Sequence, residues 1–198
     1  MEFFLQVTHN NNISTPWFVP GVILMLAFLF ILILKRNARL AKGKLSGLSE
    51  TLGGKIREGM GKSILKTAWE GREFELTLST GSKKGDFSLE ISYPYPFEVD
   101  FSIITHDPDF DFEKETGLSA MKTDDEEFDR AFLVLGKTKA DCRFFLTPER
   151  RRHIKEMDFS TLEFSSRGLT YTKTPLVEQD LWPERVTALL TDLKALSD

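Results

Sequence analysis

Residues 17–34 read WFVPGVILMLAFLFILIL, eighteen positions without a charge, and Lys35 and Arg36 follow at once. At a rise of about 1.5 Å per residue the run makes about 27 Å of helix, close to the ~30 Å hydrocarbon core of a bilayer. The run has no polar face, so it is unsuited to half-buried packing on a soluble domain. A cleaved signal peptide fits less well. No basic residue precedes the apolar stretch, it is longer than a usual signal core, and Lys35-Arg36-Asn37 replaces a small-residue cleavage site. The expectation is a transmembrane helix, with Trp17 at one interface and Pro20 in the first turn, where a missing N–H costs nothing.

Charge sets the expected topology. Residues 1–34 carry one Glu and no Lys or Arg, whereas residues 35–66 carry nine Lys/Arg against two Glu. Basic flanks stay on the cytoplasmic side. Residues 1–16 are therefore expected to be a short extracytoplasmic tail, and everything after Leu34 to be cytoplasmic, on a single-pass protein of the inner membrane. The remainder carries 17 Lys/Arg against 27 Asp/Glu, an acidic balance that argues against a nucleic-acid surface. A single Cys excludes an internal disulfide.

Residues 35–66 read as a basic, glycine-containing juxtamembrane segment. Leu45, Leu48, Leu52, Ile56, Met60 and Ile64 recur at helical spacing, and the intervening glycines weaken any helix. Lys35, Arg36, Arg39, Lys42 and Lys44 are candidate contacts for anionic lipid, each worth about 1 kcal/mol near such a surface. A flexible linker is the alternative.

Residues 67–198 read as one α+β domain with a mostly antiparallel sheet and two helices. Phe74, Leu76 and Leu78 alternate with polar residues, as do Phe87, Leu89 and Ile91, which predicts a hairpin across Gly81–Gly85. Phe97, Val99, Phe101 and Ile103 predict a third strand, and 128–136 a fourth. Residues 140–157 predict a helix that restarts at Thr147-Pro148, a cap followed by proline at the first helical position. Two short strands flank Arg167-Gly168. Val186, Leu189, Leu190, Leu193 and Leu196 give the C-terminal helix one apolar face.

Motifs for chemistry are sparse. Gly59-Met60-Gly61-Lys62-Ser63 resembles the end of a phosphate-binding loop, but the required earlier glycine is Ile56 and no strand is expected before it. Asp107, Asp109 and Asp111 are weak candidates for a hard cation. An EF-hand starting there would need Gly and Glu where Phe112 and Leu118 stand. Asp124–Glu127 reads as a solvated loop. His9, His106 and His153 form no ligand spacing, and Cys142 among Phe144, Phe145 and Leu146 reads as a buried thiol. Arg150, Arg151 and Arg152, with Arg143 and Lys155, form the densest basic cluster of the domain. It is either a helix face paired with acids or a contact for lipid phosphate or an acidic partner. No catalytic residue and no cofactor is expected.

The stretch from Asp124 to Met157 resembles uncharacterised bacterial membrane-anchored proteins. Phe128, Asp129, Phe132, Val134, Ala140, Leu146, Thr147 and Pro148 carry the likeness, a Phe-Asp-x-x-Phe-x-Val run and a later Leu-Thr-Pro. Trp69-Glu70-Gly71-Arg72 and Arg167-Gly168-Leu169 are similar to hairpin turns of the same proteins. The resemblance implies an α+β domain behind a membrane helix and assigns no activity. The combined expectation is a membrane-anchored interaction or scaffolding domain, contacting the bilayer and another protein. The alternative is a membrane-bound enzyme or ligand sensor using the acids at 107–113 or the basic patches.

Overall fold

A computed structural model describes residues 18–80, 86–107, 120–136 and 139–197. Its first element, α1, is a single helix over Phe18–Leu52, 35 residues and so about 52 Å long. The helix has two unlike halves. Ile23 to Ile33 are all exposed, the large side chains from 45% at Leu29 to 71% at Leu24. Ala38, Ala41, Leu45 and Leu48 are buried, at spacings of three and four that keep them on one face. Gly53 and Gly54 end the helix at φ 71° and 105°. A Cβ on Gly54 would lie 2.2 Å from the Lys66 carbonyl oxygen, so only glycine lets the chain turn there against its neighbour.

The chain then builds one eight-stranded sheet: β1 Lys55–Glu58, β2 Lys62–Trp69, β3 Arg72–Thr80, β4 Phe87–Tyr93, β5 Phe101–Thr105, β6 Phe132–Gly136, β7 Thr161–Ser165 and β8 Gly168–Lys173. The strands lie in the order β1-β2-β3-β4-β8-β7-β5-β6, antiparallel throughout. Register carries one row of side chains across the whole sheet: Ile56, Leu65, Leu76, Ile91, Tyr171, Leu162, Ile103 and Val134. All but Ile56 are buried, and α1 packs over this face. The opposite face carries Lys66, Glu75, Glu90, Thr172 and Glu163, and no described element covers it. One apolar face and one wet face are what an antiparallel sheet tolerates.

Among the described residues four more α-helices follow: α2 Glu126–Ala131, α3 Lys139–Phe145, α4 Pro148–Glu156 and α5 Pro183–Ser197, the last preceded by a 3-10 turn over Glu178–Leu181. Thr147 caps α4 by accepting from the Arg150 N–H at 3.3 Å, with Pro148 at the first position. Val186, Leu190, Leu193 and Leu196 of α5 enter the core beside α1. Edge-to-face and stacked rings of Phe97, Phe101, Phe145 and Phe164 fill its other side, with centroids 4.8–5.7 Å apart.

The α+β class with an antiparallel sheet stands as expected, and three boundaries do not. Residues 35–66 are not a separate segment. Residues 35–52 continue the apolar helix and dock on the sheet, and 55–66 supply β1 and most of β2. The expected strand from Phe97 begins only at Phe101, because Tyr95 and Phe97 stack on neighbouring rings in a loop. Residues 128–136 divide into α2 and β6, because Asp125 caps a helical turn just before Phe128.

Candidate functional site

Three hydrogen bonds lock α1 to the sheet, and two of them mark its near and far ends. Asn37 Nδ2 donates to Thr80 Oγ1 at 3.0 Å at the near end, and Thr67 Oγ1 donates to the Leu52 carbonyl at 3.0 Å at the far end. Ser63 Oγ, fully buried, donates to the Ala38 carbonyl at 2.8 Å. At the near end the β1–β2 turn, Gly59-Met60-Gly61, lies alongside the helix. A Cβ on Gly61 would sit 3.0 Å from Leu34 Cδ2. Met60, at the tip, is 84% exposed.

The basic residues of α1 divide at this point. Lys35, Arg36 and Arg39 are exposed around the near end. Lys42 pairs with Glu58 at 2.8 Å, and that hydrogen bond, then the charges of Lys42 and Arg39, hold the Glu58 carboxyl below its ordinary range. Lys44 lies over the Phe87 ring at 5.2 Å. Three of the five candidates therefore face outward beside the end of the apolar run, and two help dock the helix.

The Arg150–Arg152 cluster sits elsewhere and is largely engaged. Arg150 stacks on Phe145 at 4.2 Å and donates to the Phe145 carbonyl. Arg151 is mostly buried, donates to the Leu146 carbonyl at 2.8 Å and faces Asp125 at 3.5 Å. Arg143 pairs with Asp124 at 2.8 Å, and Lys155 with Glu127 at 2.7 Å and Asp125 at 3.3 Å. Arg152 is exposed and lines an open groove of about 800 Å3 with Phe144, His153 and Leu196. The Asp124–Glu127 acids are thus the cap and first turn of α2 rather than a solvated loop. The Phe128 N–H donates to Asp125, and this bond, with Lys155 and Arg151, outweighs burial and holds the Asp125 carboxyl below its ordinary value.

Of the cation candidates, Asp107 follows β5, while Asp109 and Asp111 lie outside the described residues. Among the described residues no three His, Cys, Asp or Glu side chains gather to hold a metal. His106 Nδ1 meets the Arg130 carbonyl at 3.1 Å, and His153 faces Asp192 at 3.6 Å; His9 and Trp17 are outside the described residues. Cys142 is buried, as its neighbours imply. Gly59–Ser63 is a hairpin turn leading into a strand, so no helix N-terminus faces a phosphate there.

One polar cluster had no signal in the sequence. Lys173, with 12% of its side chain exposed, bonds Asp158 and, at 2.9 Å, Asp180. Burial alone would push its ammonium down, but the two carboxylates outweigh it and raise its pKa. The Tyr171 hydroxyl donates to the Asp158 carbonyl at 2.6 Å, and burial pushes its pKa well up. These groups tie β8 to the chain before β7 and to the 3-10 turn. They come together from three separate stretches, so no local pattern announces them.

No family model, curated protein or solved structure matches this chain.

Proposed function

We propose that this chain is a single-pass membrane protein with a non-catalytic cytoplasmic domain that recruits or scaffolds another protein at the inner membrane of a bacterium. One observation carries the reading. The exposed apolar half of α1 and the half built into the domain core are one uninterrupted helix. Among the described residues it is the one helix long and apolar enough to cross a membrane. Apolar side chains from Ile23 to Ile33 would be costly in water and stable in lipid. The basic flank at Lys35, Arg36 and Arg39 supports a cytoplasmic domain. The described charged clusters around Asp125 and Lys173 join structural elements to one another.

Alkaline extraction and labelling test the anchor and its direction. In a Cys142→Ala background, the expected outcome is retention in the membrane pellet. A cysteine at Ser14 should react with an impermeant maleimide in intact cells, and one at Arg152 only after lysis. Release by alkali would remove the anchor, and the reverse labelling pattern would invert the topology. A partner recovered with the full chain from gently solubilised membranes, and lost with residues 1–36 alone, supports scaffolding.

A further inference from the structure

We infer that the β1–β2 turn is a second membrane contact, in which Met60 enters the headgroup layer of an anionic bilayer beside the end of the transmembrane helix. The inference rests on the anchoring reading above and adds to it a lipid-binding surface on the domain itself.

The geometry runs from the helix outward. Lys35 marks the end of the uncharged run, so Leu34 lies at the hydrocarbon boundary. From Ala38 back to Leu34 the helix rises about 6 Å, at 1.5 Å per residue. Ser63 is bonded to the Ala38 carbonyl, and from Ser63 the strand runs toward the turn by two to three residues, about 7–10 Å at 3.3 Å each. The turn therefore reaches the level of Leu34 or slightly beyond, and the close approach of Gly61 to Leu34 fixes it there. Met60 at its tip is 84% exposed, the flexible apolar side chain that is costliest to leave in water at this end.

The surroundings fit a lipid surface. Lys35, Arg36 and Arg39 on the helix and Lys62 beside the turn are all exposed, the arrangement an anionic headgroup layer attracts. Val177 is 55% exposed and follows Leu176, whose N–H donates to the Phe87 carbonyl at the same end of the sheet. Trp182, 52% exposed, follows the 3-10 turn that packs against α1. An indole and two apolar side chains suit the interface, where amphipathic groups sit at headgroup depth, although Glu178 beside Val177 and Glu184 near Trp182 are exposed as well. The turn meets Leu34 at the end of the apolar half of α1, so a bilayer covering that half reaches the turn.

The test uses the full chain with Cys142→Ala, reconstituted into vesicles of phosphatidylcholine containing a quarter phosphatidylglycerol. Met60→Cys and, as the control away from this end, Arg152→Cys each carry an environment-sensitive fluorophore. Lipids brominated near the headgroup are expected to quench the label at 60 several-fold more than that at 152. Replacing phosphatidylglycerol by phosphatidylcholine should reduce that difference. Equal quenching at both sites, in protein that floats with the vesicles, overturns the contact and leaves the anchor standing. Protein that fails to float overturns the anchoring reading itself. Oxidative cross-linking of unlabelled Met60→Cys between copies, without lipid quenching, would assign the turn to a second copy of the chain instead.

Discussion

Asp125 serves three neighbours with one carboxylate. It accepts the Phe128 N–H at 3.0 Å as the cap of α2, faces Arg151 at 3.5 Å and meets Lys155 at 3.3 Å. Its acidity is increased by these contacts, chiefly the backbone bond, so its contribution is fully present above the ordinary Asp pKa near 4. It is lost as pH falls through the lower folded value. Asp125→Ala should cost about 1 kcal/mol at neutral pH, within the usual range for removing such a cap. The deficit should shrink in acid, where the native carboxyl is protonated and only the weaker capping bond of a neutral oxygen remains. Asp125→Asn keeps a capping oxygen and should show a smaller loss at neutral pH. Urea denaturation of the full chain in detergent at a series of pH values measures all three. A deficit that stays constant through the acid range would show that charge plays no part. None of this was legible in Asp124-Asp125-Glu126-Glu127, four acids in a row that look alike. Which one caps is decided by Phe128, which must point inward, and by basic partners some 26 and 30 positions away. Thr147 was legible because cap and proline are adjacent and need no distant partner.

Among the elements, α1 shows how a docked helix tolerates poor helix formers. Gly43 and Gly47 lie on its exposed side, and a Cβ at either would meet nothing within 4 Å. Each costs the helix about 1 kcal/mol relative to alanine, and the buried face of Ala41, Leu45 and Leu48 supplies the compensation. Gly47→Ala should therefore raise stability by about 0.5–1 kcal/mol. Gly54→Ala should lower it by more than that, since it forces an alanine into φ +105° and a Cβ against the Lys66 carbonyl. Thermal unfolding of the two variants beside the parent chain decides this, and a loss at Gly47 would mean that residues 35–52 are not a fixed helix in solution. The same glycines obscured the element in the sequence, where helix and linker were evenly matched. β2 was hidden for a different reason. Its inward positions include Ser63 and Thr67, which bond helix carbonyls, while Ile64 and Ala68 point away. The apolar alternation that marks a half-buried strand is thereby erased. The C-terminal helix and the strands at 74–78 and 87–91 keep their period intact, and their inward faces were legible from it.

At the scale of the molecule, the membrane-like half of α1 and the domain are joined without a linker. A flexible juxtamembrane chain would let the domain sample many orientations. A helix held by Asn37, Ser63 and Thr67 to three points of the sheet allows few. The consequence is that the wet face of the sheet, with Glu90 and Glu163, and the groove at Arg152 are presented to the surroundings at fixed angles. A partner would meet the same face on every copy. Spin labels at Leu24, in the exposed apolar half, and at Glu163, on the open face, should give one narrow distance distribution in lipid nanodiscs. A four-residue Gly-Ser insertion between Lys35 and Arg36 should broaden that distribution several-fold. It should leave the melting midpoint nearly unchanged, because the buried face from Ala38 to Leu48 lies beyond the insertion. Pulsed electron-electron resonance reads the first result and thermal unfolding the second. A broad distribution in the uninterrupted chain would locate a hinge between Leu34 and Asn37, and the domain would then be tethered rather than held.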